Sequence, residues 1–159
     1  MRGEAGGMLS SALFLETLQT ISMHAMGKPR VKFLADNQSL ITRETQHQEY
    51  DETYPNFTLK AEYDLTEQIY QTIKASDIQA SYHHIKGHQD DNISYNNLSF
   101  EAQMNVQADH LAEEFYGKPI FQPTVPLLPA CPAALQIQST IITNDFRNQL
   151  QKAWTEPNY

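Results

Sequence analysis

Four side chains in this sequence could take part in chemistry and stand at informative places: Glu4, Asp36, His88 and Asp109. Glu4 opens the first apolar helical pattern, in register with Met8, Ala12 and Leu15. A charge that continues a buried stripe asks for a metal or a base as partner. Asp36 closes an apolar, strand-like run, Val31-Lys32-Phe33-Leu34-Ala35. His88 follows a second such run, in Ile85-Lys86-Gly87-His88-Gln89-Asp90-Asp91. Asp109 sits mid-helix, about 100° round from Ala108. Carboxylates are hard oxygen ligands suited to Mg²⁺, and a histidine beside them can move a proton near neutral pH. Each residue also has a plain structural reading. Glu4 suits a helix dipole, Asp36 suits an N-cap, Asp109 suits a solvated face, and a lone loop histidine is usually just a surface residue.

The elements that must position these residues follow from periodicity. Residues 4–22 read as a largely buried helix, with Met8, Leu9, Ala12, Leu13, Leu15 and Leu18 at helical spacing. A strand over 31–35 leads into a short helix holding Leu40 and Ile41. Residues 44–58 are polar and acidic and read as a loop. Residues 59–75 form a helix with Ala61, Leu65, Ile69 and Ile73 near one face. Residues 78–85 alternate as a strand, and residues 87–97 form a polar loop. Residues 99–116 form the last clear helix, with Ser99 as N-cap, Gly117 as C′ and a buried stripe of Met104, Ala108, Leu111 and Phe115. Strands alternating with helices imply an α/β fold with parallel pairing. Two strands are few for such a sheet.

Composition narrows the class. The chain has 159 residues, 40% of them hydrophobic, and a net charge of −8, which argues against a strongly basic nucleic-acid binder and leaves room for a nuclease with acids at its centre. A single cysteine, Cys131, excludes an internal disulfide and a cysteine zinc site. The adjacent His83 and His84 would point to opposite faces of a strand, so a histidine zinc site is not expected. No secretory leader is read in residues 1–15, and no apolar run nears the roughly 18 residues of a membrane span. The expectation is an intracellular protein of cytoplasm or nucleus, with no membrane partner. Five prolines, Pro119, Pro123, Pro126, Pro129 and Pro132, mark an extended linker. The domains read as 1–117 for the folded unit, 118–132 for the Pro-rich linker and 133–159 for a C-terminal tail or the start of a following domain.

Taken in order, the four positions resemble the ribonuclease H family. The matching pieces are Arg2-Gly3-Glu4-Ala5, Leu34-Ala35-Asp36-Asn37-Gln38-Ser39-Leu40, Ile85-Lys86-Gly87-His88 and Asn105-Val106-Gln107-Ala108-Asp109-His110-Leu111-Ala112. The last is similar to the family's N-x-x-A-D-x-L-A helix. The resemblance covers residues 2–117, and the branch most resembled is the retroelement-encoded one attached to reverse transcriptases. It implies metal-dependent hydrolysis of the RNA strand of RNA–DNA hybrids. Glu4, Asp36 and Asp109 would be the ligands of Mg²⁺ or Mn²⁺, and His88 would assist proton transfer or product release. The implied partners are an RNA–DNA hybrid or other nucleic acid and an attached reverse transcriptase. Phosphate contacts are expected from the basic residues of 1–43 rather than from the acidic stretch 44–67.

The sequence departs from the family at its start. The family carries a further metal-binding Asp on a first strand of a three-strand meander, and here only three residues precede Glu4. The fold expected is therefore ribonuclease H-like without its first three strands, and the chain is expected to be truncated and impaired as an enzyme. Asp90 or Asp91 is a candidate substitute ligand. The alternative function is a non-catalytic nucleic-acid-binding or structural module of a retroelement polyprotein. Two further expectations concern the bare edge of strand 31–35. It invites self-association, or residues 134–143 fold as a strand that covers it or as an independent hairpin.

Overall fold

Alternating apolar spacing and helix caps produce nine regular elements among the residues that the computed structural model describes, 2–21, 28–49, 60–115, 135–137 and 140–155. Helix α1 spans Arg2–Ile21, strand β1 Arg30–Ala35, helix α2 Gln38–Glu49 and helix α3 Tyr63–Ala75. Strand β2 spans Gln79–His84 and helix α4 Phe100–Phe115, with two single 3-10 turns between them at Gln89–Asp91 and Tyr95–Asn97. The short strands β3 (Gln136–Ile137) and β4 (Thr140–Ile141) precede helix α5 (Phe146–Thr155). The architecture is mixed α/β. The Pro-rich segment 118–132 and the expected cap at Gly117 lie outside the described residues. Among the described residues no helix is long and apolar enough to cross a membrane.

Strands β1 and β2 pair in parallel, from Arg30 opposite Gln79 to Ala35 opposite His84. Phe33 and Tyr82 share that register, and their rings stack with centroids 5.5 Å apart. The ladder continues past the strands, where Ile85 N donates to Ala35 O at 3.0 Å. Parallel neighbours need a crossover, and α2 and α3 supply it. The core lies between the sheet and three helices. Ala5, Met8, Leu9 and Ala12 of α1 meet Leu65, Ile69 and Ile73 of α3, with Phe33, Leu40, Ile41 and Ile78 completing the cluster. Fully burying one such aliphatic side chain contributes about 1.5–3 kcal/mol. A smaller cluster, Leu98, Ala102 and Val106 with Ile85 against it, seats α4 beside the end of β2.

The structure corrects four expectations. Residues 44–49 belong to helix α2 and are not a loop, because Glu44 and His47 are buried against other elements. Helix α3 begins at Tyr63 rather than at 59. The buried stripe of α4 is Ala102 and Val106, whereas Met104, Ala108 and Leu111 are exposed and the Phe115 side chain lies outside the described residues. Its inner face follows the small partner surface of Leu98 and Ile85, not the apolar spacing alone. Helix α1 buries only its first half, since Leu13, Phe14, Leu18 and Ile21 are exposed.

Residues 134–143 contain the β3–β4 hairpin, an antiparallel sheet of its own that adds no strand to β1. It is nevertheless docked. Glu62 N donates to Thr143 O at 2.7 Å, Asn144 Nδ2 donates to Glu62 Oε1 at 3.2 Å, and Ile142 is buried. These contacts set the hairpin at the start of α3.

Candidate functional site

Because β1 and β2 run parallel, their carboxyl ends lie on the same side, and loops leaving them meet there. Asp36 is the first residue beyond β1. Gly87 and His88 follow β2 by a few residues. Asp109 comes to the same end from α4, whose first turn is tied to β1 by Lys32 Nζ donating to Glu101 Oε1 at 3.4 Å. That pair is exposed and worth at most about 1 kcal/mol.

Local bonds divide the work between Asp36 and Asn37. The N-cap of α2 is Asn37, whose Oδ1 accepts from Leu40 N at 3.1 Å. Asn37 Nδ2 also donates to Glu4 Oε2 at 2.7 Å, joining the start of α1 to the end of β1. Asp36 thus has no capping duty. Its carbonyl accepts from His84 Nε2 at 3.0 Å, and its carboxylate lies against Gly87, where a Cβ would come within 2.6 Å of Asp36 Oδ2. Glu4 itself is exposed rather than part of the buried stripe, which starts at Ala5.

Asp109 is half-buried, and Asn105 Nδ2 donates to its Oδ2 at 3.3 Å. Burial pushes its carboxyl pKa above the ordinary value. The negative charges of Asp36, Asp90 and Glu113 push it the same way, and His88 opposes them. Asp36, His88, Asp90 and Asp109 therefore share one electrostatic neighbourhood, and Glu4 reaches its rim through Asn37. His88 has a left-handed backbone, φ 49° and ψ 39°, which turns the chain into the 3-10 helix that carries Asp90 and Asp91.

A hard divalent cation suits this donor chemistry, since facing carboxylates repel each other and Mg²⁺ prefers oxygen. The fit is partial in position. Among the described residues no three Asp, Glu, His or Cys side chains stand close enough to form a ligand set as they are placed. The Asp36 charge is felt at Asp109, and Glu4 is engaged with Asn37. The basic residues expected at a phosphate face are partly occupied. Lys28 pairs with Asp77, Lys32 with Glu101, and Arg43 donates to Ala61 O.

Asn37, His84 and Gly87 gain roles here that residue types alone did not reveal. For Asn37 the signal was its place two residues past a strand and three before Leu40, which is N-cap spacing. Asn37→Ala removes the cap and the Glu4 bond together. The expected loss is about 1–2 kcal/mol of stability, read as a lowered urea midpoint; an unchanged midpoint would count against the cap. Gly87→Ala should leave that midpoint near wild type, because the clash is with the end of a side chain. It should instead displace the Asp36 carboxylate, seen as a changed Asp36 carboxyl signal in NMR. An unchanged Asp36 signal would show that the two do not pack.

Comparison of the chain with protein-family models, with curated proteins and with solved structures finds no match.

Proposed function

We propose that this chain is a ribonuclease H-like domain whose chemistry is metal-dependent hydrolysis of the RNA strand of an RNA–DNA hybrid. The observation that supports it is the meeting of Asp36, the Gly87-His88 loop and Asp109 at the carboxyl ends of two parallel strands. Glu4, Asp36 and Asp109 would hold Mg²⁺ or Mn²⁺, which supplies an activated water and charge stabilisation at the phosphodiester. The protein's own part is positional and protonic. Asp36 and Asp109 present oxygens to one place. Asn37 and Asn105 hold carboxylates by hydrogen bonds. His88, on an exposed turn beside Asp109, carries a proton to or from the reacting oxygens. Strand choice rests on the 2′-hydroxyl, which separates RNA from DNA.

A second reading is a non-catalytic nucleic-acid-binding module. It is favoured by the engagement of Glu4 with Asn37, which keeps one expected ligand on a protein partner. Incubating the full chain with a labelled hybrid, with and without Mg²⁺ or Mn²⁺, separates the two. Cation-dependent cutting of RNA that disappears in Asp36→Asn supports the nuclease, however slow it is. Hybrid binding without cutting supports the module, and neither binding nor cutting removes both. Self-association through β1 belongs to the same proposal. Among the described residues β1 pairs on one side only, and an open strand edge recruits other chains. Light scattering should find oligomers; a monodisperse monomer at high concentration would rule the edge out as a contact.

A further inference from the structure

Helices α2 and α3 meet over carboxyl groups as well as over apolar side chains. Glu44, two turns into α2, is 1% exposed, and among the described residues neither carboxyl oxygen has a hydrogen-bond partner. Opposite it on α3 is Glu67, also buried, whose Oε1 accepts from Gln71 Nε2 at 2.7 Å. Glu67 Oε2 stands 3.1 Å from His47 Nε2. His47 is buried too, with its ring stacked on Tyr70 at a centroid distance of 4.5 Å. Glu67 therefore has Gln71 as a hydrogen-bond donor and the His47 ring within ion-pair distance, whereas among the described residues the Glu44 carboxyl has neither. An ionised carboxylate cannot be kept there without a compensating donor or cation.

We propose that Glu44 is a proton-operated latch: with its proton on, α2 lies against α3 and β2, and with its proton off, α2 is driven from that seat. The groups that face it from the packed elements agree with this role. From α3 the Glu67 charge opposes ionisation, and from β2 the Tyr82 hydroxyl is near enough to feel the Glu44 charge. Within α2, Arg43 favours ionisation, though its guanidinium is turned to Ala61 O. The charged residues of β1, Arg30 and Lys32, are exposed, and Lys32 is paired with Glu101. Burial first, and Glu67 second, hold the Glu44 carboxyl well above the ordinary range.

The sign follows from proton counting. Folded Glu44 keeps a proton that the unfolded chain releases above about pH 4.3. The unfolding constant should then rise about tenfold per pH unit until the raised pKa is passed. His47 acts oppositely, since burial lowers its pKa despite Glu67, so protonation favours the unfolded chain just below about pH 6.5. The two offset there, and the Glu44 slope stands alone above.

Denaturant unfolding of the full chain between about pH 6.5 and about pH 9 tests the latch. Wild type should lose stability with rising pH, while Glu44→Gln and Glu44→Met should stay flat. Backbone amides of α2 should lose hydrogen-exchange protection before those of α1. The infrared spectrum of the wild type, labelled at glutamate, should carry a protonated-carboxyl band near neutral pH, a measurement that needs no variant to fold. Absence of that band overturns the proposal, and so does a wild-type pH slope shared by either folded variant.

Discussion

Ile69→Ala should lower the unfolding midpoint of the chain more than any exposed substitution, with a loss of about 2–5 kcal/mol. Ile69 is 0% exposed and lies at the centre of α3, between Leu65 and Ile73 and facing the buried half of α1. Cutting an isoleucine to alanine in such a place costs about 2–5 kcal/mol, because the cavity left behind collapses only in part. Domains of this size have about 5–15 kcal/mol in hand. This one draws on a small core. Among the described residues its main sheet has two strands, its first helix buries only one half, and α5 has no buried residue. The contrast is Phe14→Ala on the exposed half of α1, 62% exposed, where the change should stay within about 0.5 kcal/mol. Urea unfolding followed by circular dichroism distinguishes them. Equal midpoints would mean that the α1–α3 contact does not carry the fold.

Asp109→Asn should weaken Mg²⁺ binding by at least about tenfold, since a unit charge about 4 Å away in a partly buried setting is worth up to about 4 kcal/mol. The variant keeps the shape of the side chain and an oxygen for Asn105, so its fold should be retained. The pH dependence adds a signature. Burial and the Asp36 charge raise the Asp109 pKa, so acidification protonates it earlier than an ordinary carboxyl. Wild-type affinity should therefore fall as pH drops toward that raised value, because the proton and the cation compete for the same oxygens. The asparagine variant has no such competition at that position, and its residual affinity should vary less over the same interval. Calorimetry at several pH values measures both. Equal Mg²⁺ binding by wild type and variant would remove Asp109 from the proposed ligand set, and with it the strongest support for the nuclease reading.

Much of the framework was legible from residue spacing. Met8, Leu9 and Ala12 recur at helical spacing, and α1 forms with them inside. The short run ending at Ala35 is a strand, and it pairs with the second alternating run in parallel, as strands separated by helices must. Ser99 caps α4 as its type predicts, with Ala102 N donating to its Oγ at 3.3 Å. Asp36 at a strand end and Asp109 mid-helix were also visible, because an acid that interrupts an apolar pattern stands out locally.

Other features were decided by tertiary contact. Glu44 and His47 look like loop residues in the sequence, since polar side chains gain nothing from burial by themselves. They become interior residues of α2 only when α3 brings Glu67 beside His47 and the packing seals Glu44. The face that α4 buries was likewise undetermined, because apolar residues lie on more than one side of it. Leu98 and Ile85 select Ala102 and Val106, and Met104 and Leu111 are left in water. The cap of α2 fell to Asn37 and not Asp36 because its side-chain amide can accept from Leu40 N with its oxygen and donate to Glu4 with its nitrogen, which a carboxylate cannot do. Local pattern thus determined which elements exist. The partners that each polar side chain finds across the fold decided which of them are buried and which remain at the candidate site.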